Sequence, residues 1–138
     1  MTTGQSSYTI SRETSLSFDE AVGEARRLLQ EAGYGILSEI DVRAKLEEKL
    51  GVEREPYVIL GACNPPLARE GIDAEPELGA LLPCNVIVYE HGGRVHVAAI
   101  EPQTMLSVVG NEELDRIASQ VREDLGHVVG RLAKAEDV

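Results

Sequence analysis

Between residues 83 and 100 the chain reads Pro83-Cys84-Asn85-Val86-Ile87-Val88-Tyr89-Glu90-His91-Gly92-Gly93-Arg94-Val95-His96-Val97-Ala98-Ala99-Ile100. Two apolar runs of strand length flank a Gly-Gly pair. Glycine takes the positive φ values of a tight two-residue turn with little steric cost. The segment therefore predicts a β-hairpin, and a sheet that is antiparallel at least in part. Glu101-Pro102 closes the second strand, since proline cannot donate to a ladder.

Upstream, Tyr57–Cys63 is an almost unbroken apolar run, introduced by Pro56 and stopped by Asn64-Pro65-Pro66. A run without polar alternation predicts a strand covered on both faces or lying at an interface. Residues 8–12 and 35–40 add two shorter strands. Ser17 and Glu20 have the spacing of a capping box. Phe18, Ala21, Val22, Ala25, Leu28, Leu29 and Ala32 then recur at threes and fours, and Gly33 ends the helix. A short helix is expected over 41–50, closed by Gly51, with Val42, Leu46 and Leu50 four apart. Short helical pieces are expected at 67–70 and 75–82, and an irregular or helical stretch at 106–109. Asn111 caps the last helix, with Glu112, Glu113 and Asp115 set against its dipole. Leu114, Ile117, Ala118, Val121, Leu125, Val128 and Leu132 form its apolar face. The order predicts one α+β domain over 8–133: a largely antiparallel five-stranded sheet with helices packed on one face. Residues 1–7 read as a flexible tail, and 134–138 as a frayed end. The uncovered strand residues call for a second copy of the chain, hence a homodimer.

The 138 residues include 24 acidic and 13 basic side chains, a formal net charge of −11. That balance argues against a duplex nucleic-acid partner, which requires clustered Lys and Arg, and against docking on anionic lipid. No apolar run approaches a membrane span, and the polar start lacks the features of a signal peptide. The expected location is the cytoplasm, where Cys63 and Cys84, the chain's two cysteines, stay reduced.

Those cysteines mark the candidate site. Cys-Asn occurs twice, at Cys63-Asn64 and Cys84-Asn85, ending one predicted strand and beginning another. If those strands are antiparallel neighbours, both thiols and both amides gather at one edge of the sheet. Together with Pro65 and Pro83 they form a candidate ligand-binding set, a polar end to an apolar pocket. The simpler alternative is packed, inert thiols and asparagines on turn and cap duty. A thiol-dependent redox or soft-metal role is the other alternative. The spacing is not C-x-x-C, and no cation adjoins either cysteine in sequence to favour a thiolate. Met105 could line the same pocket, where a thioether with two thiols would suit copper(I), or it could simply fill the core. His91 reads as an exposed turn residue, His96 as a strand residue facing away from Val95 and Val97, and His127 as a helix residue. Glu90 and Glu101 lack evident carboxylate partners, and there is no nucleophile elbow or glycine-rich phosphate loop. Neither catalytic residues nor a cofactor can be assigned. The five acids from Glu70 to Glu90 read as a solvated face.

The segments Tyr57-Val58-Ile59-Leu60-Gly61-Ala62-Cys63-Asn64-Pro65, Leu81-Leu82-Pro83-Cys84-Asn85-Val86 and Glu101-Pro102 through Met105 closely resemble the family catalogued as domain of unknown function 302. The resemblance runs over about residues 7–132. It implies a compact α+β domain similar to the TATA-binding-protein-like class, often dimeric. It implies no settled activity. Some relatives lack the two cysteines, so the fold does not depend on them.

Overall fold

The structure, a computed structural model, describes residues 8–134. The tail expected at 1–7 and positions 135–138 of the frayed end expected at 134–138 lie outside the described residues, while Lys134 is the last residue of the C-terminal helix. Strands β1 (Thr9–Thr14), β2 (Gly35–Asp41), β3 (Tyr57–Cys63), β4 (Cys84–His91) and β5 (Arg94–Ile100) form one sheet in the order β1-β5-β4-β3-β2. Every neighbouring pair is antiparallel. The predicted hairpin is its centre. His91 stands opposite Arg94, and Gly92 and Gly93 take φ of 63° and 79°. The Glu55 carboxylate accepts from both turn amides, at 3.3 and 3.2 Å, which ties the loop before β3 to the hairpin tip.

Helix α1 (Phe18–Glu31) begins with the capping box: the Glu20 amide donates to Ser17 Oγ, and the Ser17 amide donates to the Glu20 carboxylate. Its apolar stripe and that of the long helix α5 (Asp115–Lys134) cover one face of the sheet. The register explains the core there. Leu60, Val86, Ala99 and Ile10 lie in one row across four strands, and all are buried. Val58, Val88 and Val97 form the next row. Strand β1 runs two residues past its predicted end because Thr14 is held in place. Its hydroxyl donates to the Leu132 carbonyl at 2.9 Å, binding the strand end to α5.

Three expectations need correction. Residues 65–82 form two helical pieces as expected, but the first, α3 (Pro65–Ala74), begins two residues earlier and ends four later than the expected 67–70, and the second is a 3-10 turn, Pro76–Leu81. The prolines that end β3 start α3. They occupy its first two positions, where a missing N–H costs nothing, and Asn64 Oδ1 accepts from the Leu67 amide at 3.2 Å. Helix α4 (Pro102–Ser107) precedes the expected 106–109 stretch, because the Glu101 side chain caps it by accepting from the Gln103 amide. Asn111 caps a 3-10 turn, Glu112–Leu114, that leads into α5. Helix α2 (Val42–Leu50) forms as expected between the Asp41 cap and left-handed Gly51. Its apolar repeat buries nothing, however, and Leu50 is 68% exposed.

On the opposite face of the sheet, Tyr57, Ile59, Ile87 and Tyr89 are half-buried. Tyr57, Tyr89 and His96 stand in register and stack in a row, with centroids 5.4 and 5.0 Å apart. The Arg54 guanidinium lies 5.2 Å from the Tyr57 ring centre.

Candidate functional site

A pocket opens at the end of the sheet where β3 finishes and β4 begins. Its floor and rim come from Ala62, Cys63, Asn64, Leu82, Pro83 and Cys84, and its walls from Tyr34, Met105, Leu106, Ile117 and Val121. Two sequence segments thus meet there only because β3 and β4 pair, while α3, α4 and α5 close around them. The cavity measures about 40 Å³, and no charged side chain lines it. One water needs roughly 10–15 Å³ by the same kind of measure. The space therefore suits about three waters or a short apolar chain, whereas drug-sized sites span about 300–1,000 Å³.

Four of the six predicted ligand-site residues line this pocket: Cys63, Asn64, Pro83 and Cys84. Pro65 does not; it is the exposed first residue of α3. Asn85 does not either. It stands opposite Gly61, exposed on the face away from α1 and α5. Asn64 lines the pocket while its amide oxygen serves as the α3 cap. Met105 joins it, as its position after Pro102 foreshadowed. Tyr34, which the sequence reading passed over, is 2% exposed. Its hydroxyl donates to Asp124 at 2.8 Å, and Asp124 also accepts from Gln120 at 3.0 Å. Burial, and then the bond to Asp124, hold the Tyr34 phenol well above its ordinary pKa, so that it keeps its proton. An aromatic just after the Gly33 turn was the available signal. At the neighbouring edge, Arg122 Nε bonds the Glu101 carboxylate at 2.8 Å, joining the start of α4 to α5.

The register also fixes how the two thiols relate. Ala62, not Cys63, is the partner of Cys84. Adjacent strand residues point to opposite faces, so the alternation directs the two Cβ atoms apart, and a disulfide requires them to converge. Both cysteines are free. Cys84 is 8% exposed. Burial first, then the neighbouring Cys63, push its thiol up to about 11 from an ordinary 9.0. A nucleophilic or redox thiol needs the opposite shift. His96 lies with Tyr89 on the far face and His91 in the exposed turn, away from either thiol. Among the described residues, no three His, Cys, Asp or Glu side chains gather to hold a metal ion.

The raised thiol has a consequence for stability. Between about pH 9 and 11 the unfolded chain has released the Cys84 proton while the folded chain still holds it. Stability from this group is complete below pH 9. It falls by about 1.4 kcal/mol per pH unit across the window. Urea titrations from pH 8 to 11 should show that decline in the wild type and a flatter profile in Cys84→Val.

The profile of one family, domain of unknown function DUF302, matches residues 10–132, nearly the whole described chain. The chain belongs to the DUF302 family. A crystal structure of an uncharacterized conserved DUF302 protein from Bacillus stearothermophilus is similar to it, with a TM-score of 0.84 and 26% identity. The likeness covers 90% of this chain and 97% of that one. No curated protein matches the chain. Membership in DUF302 agrees with the α+β fold and brings no activity with it. No helix among the described residues is long and apolar enough to cross a membrane.

Proposed function

We propose that this DUF302 protein is a cytoplasmic homodimer that binds a small, uncharged, largely apolar ligand in the pocket at the β3–β4 end. The observation that carries the reading is the lining: two separate segments and three helices enclose a space without a single charged side chain. Burying a charged group there without a partner would be costly, so phosphates and carboxylates are poor candidates. The Asn64 Oδ1 is engaged by the α3 cap and the Tyr34 hydroxyl by Asp124. Selection therefore falls on shape and apolarity. The dimer reading rests on the sheet face that carries Tyr57, Ile59, Ile87 and Tyr89. A second copy packed on that face would bury their remaining exposed surface.

The experiment is a titration with 1-hexanol, followed by the Met105 methyl resonance. A saturable shift is expected, lost in Ala68→Phe, which places a ring in the pocket from half-buried Ala68 on α3. A linear response, or the same saturable shift in a folded Ala68→Phe, contradicts the reading.

A second reading, thiol-dependent chemistry at Cys63 and Cys84, is favoured by one observation: both cysteines and Met105 line the same pocket. The diverging Cβ atoms and the raised Cys84 thiol weigh against its redox form. Its soft-metal form escapes the second objection, since a metal ion draws the proton off, but the first stands, because the alternation directs the two thiols to opposite faces.

A further inference from the structure

We infer that two copies of this chain stack antiparallel through the sheet face turned away from α1 and α5, so that the Tyr89 hydroxyl of each copy donates to the Asn85 amide oxygen of the other. The inference rests on the homodimer reading and names how the copies meet. The strand register sorts that face into three rows. A tall row holds Tyr57, Tyr89 and His96, stacked side by side. A middle row holds Ile40, Ile59 and Ile87. A low row holds Ser38, Gly61 and Asn85. A bulge in β2 between Ile36 and Ser38 brings Ser38 opposite Gly61. Gly61 must stay bare, because a Cβ there would collide with Ser38 Oγ and Pro83 Cγ.

The tall and low rows lie two residues to either side of the middle one, about 7 Å each way along the strands. A two-fold axis that runs along the middle row, across the strands, therefore exchanges them. It sets Tyr57 over the partner's Gly61 and Tyr89 over the partner's Asn85, with the isoleucines of the two copies in contact. Such self-complementarity is what an isologous interface requires. An axis along the strands would set tall row on tall row and low on low, holding the sheets apart at one end against close packing. Polar groups agree with the first axis. Asn85 is exposed, and neither its amide nor the Tyr89 hydroxyl has a hydrogen-bond partner among the described residues. Charge agrees as well. The chain carries −11 overall, yet the middle and low rows hold no charged side chain, as the centre of an interface favours. Glu13, opposite His96, is paired with Arg94 at 3.1 Å, and this axis sets it over the partner's Thr9 rather than over a second Glu13.

The test is a double-mutant cycle on the dissociation constant of the full chain, read by sedimentation over a concentration series, with circular dichroism to show that each variant is folded. Tyr89→Phe, which keeps the stacked ring, and Asn85→Ala should each weaken the dimer by about 10-fold, since each removes two hydrogen bonds per dimer. The double variant should lose no more than either single one. Along β4 the two positions stand four residues, about 13 Å, apart, too far to couple within one chain. Losses that fail to multiply therefore report contact between copies. Losses that multiply to about 100-fold overturn the arrangement and leave the homodimer reading standing. Single variants that dimerise like the wild type do the same. A monomeric wild type overturns both. The hexanol titration fails or succeeds separately.

Discussion

Leu60→Ala is expected to lower the unfolding free energy by about 2–5 kcal/mol, a drop of about 4 °C in midpoint for each kcal/mol. Leu60 is fully buried in the middle of β3, in the row with Val86, Ala99 and Ile10 beneath the helices. Truncation removes the transfer energy of three carbons and leaves a cavity that the stiff β-branched neighbours Val58 and Val86 fill poorly. Ile59→Ala, one residue away, is the matched control. Its side chain lies on the other face and is only half-buried in the single chain. In dilute solution its cost should be well below that of Leu60→Ala. Equal losses in the two variants would contradict the assignment of faces.

Ile87→Asp is expected to dissociate the proposed dimer while leaving the fold intact. Ile87 pairs with Ile59 and Ala98, at the centre of the face turned away from α1 and α5. A carboxylate placed there would be desolvated on association with no cation in the same row. Removing a central apolar contact alone often costs 2 kcal/mol or more, roughly 30-fold in affinity, and the charge adds to it. Sedimentation at micromolar concentration should give a dimer for the wild type and a monomer with an unchanged circular dichroism spectrum for the variant. A monomeric wild type, or a variant that dimerises equally well, would contradict the proposed interface.

Much of the architecture was legible because its signals are local. Gly92-Gly93 marks its turn, Ser17 with Glu20 its cap, and the α1 and α5 stripes repeat at helical spacing. What escaped the sequence reading depends on contacts between distant segments. Pro65-Pro66 signals a stop equally well whether a loop or a helix follows; Asn64 accepting from Leu67 decides for the helix. The repeated Cys-Asn pair correctly indicated that two strand ends meet. It could not give the register, and a shift of one residue moves a side chain to the opposite face. Because Ala62 rather than Cys63 stands opposite Cys84, Asn85 falls outside the pocket. Tyr34 was missed for a related reason. Its partner, Asp124, lies 90 residues away on α5.

The pocket's role is tested most directly by native mass spectrometry of the protein purified from its own cells under non-denaturing, anaerobic conditions. The expected spectrum is a dimer carrying a small organic adduct on each chain, with the adduct absent from Ala68→Phe. A wild-type protein that flies bare, or an adduct retained by the folded Ala68→Phe variant, would contradict a functional pocket at the β3–β4 end.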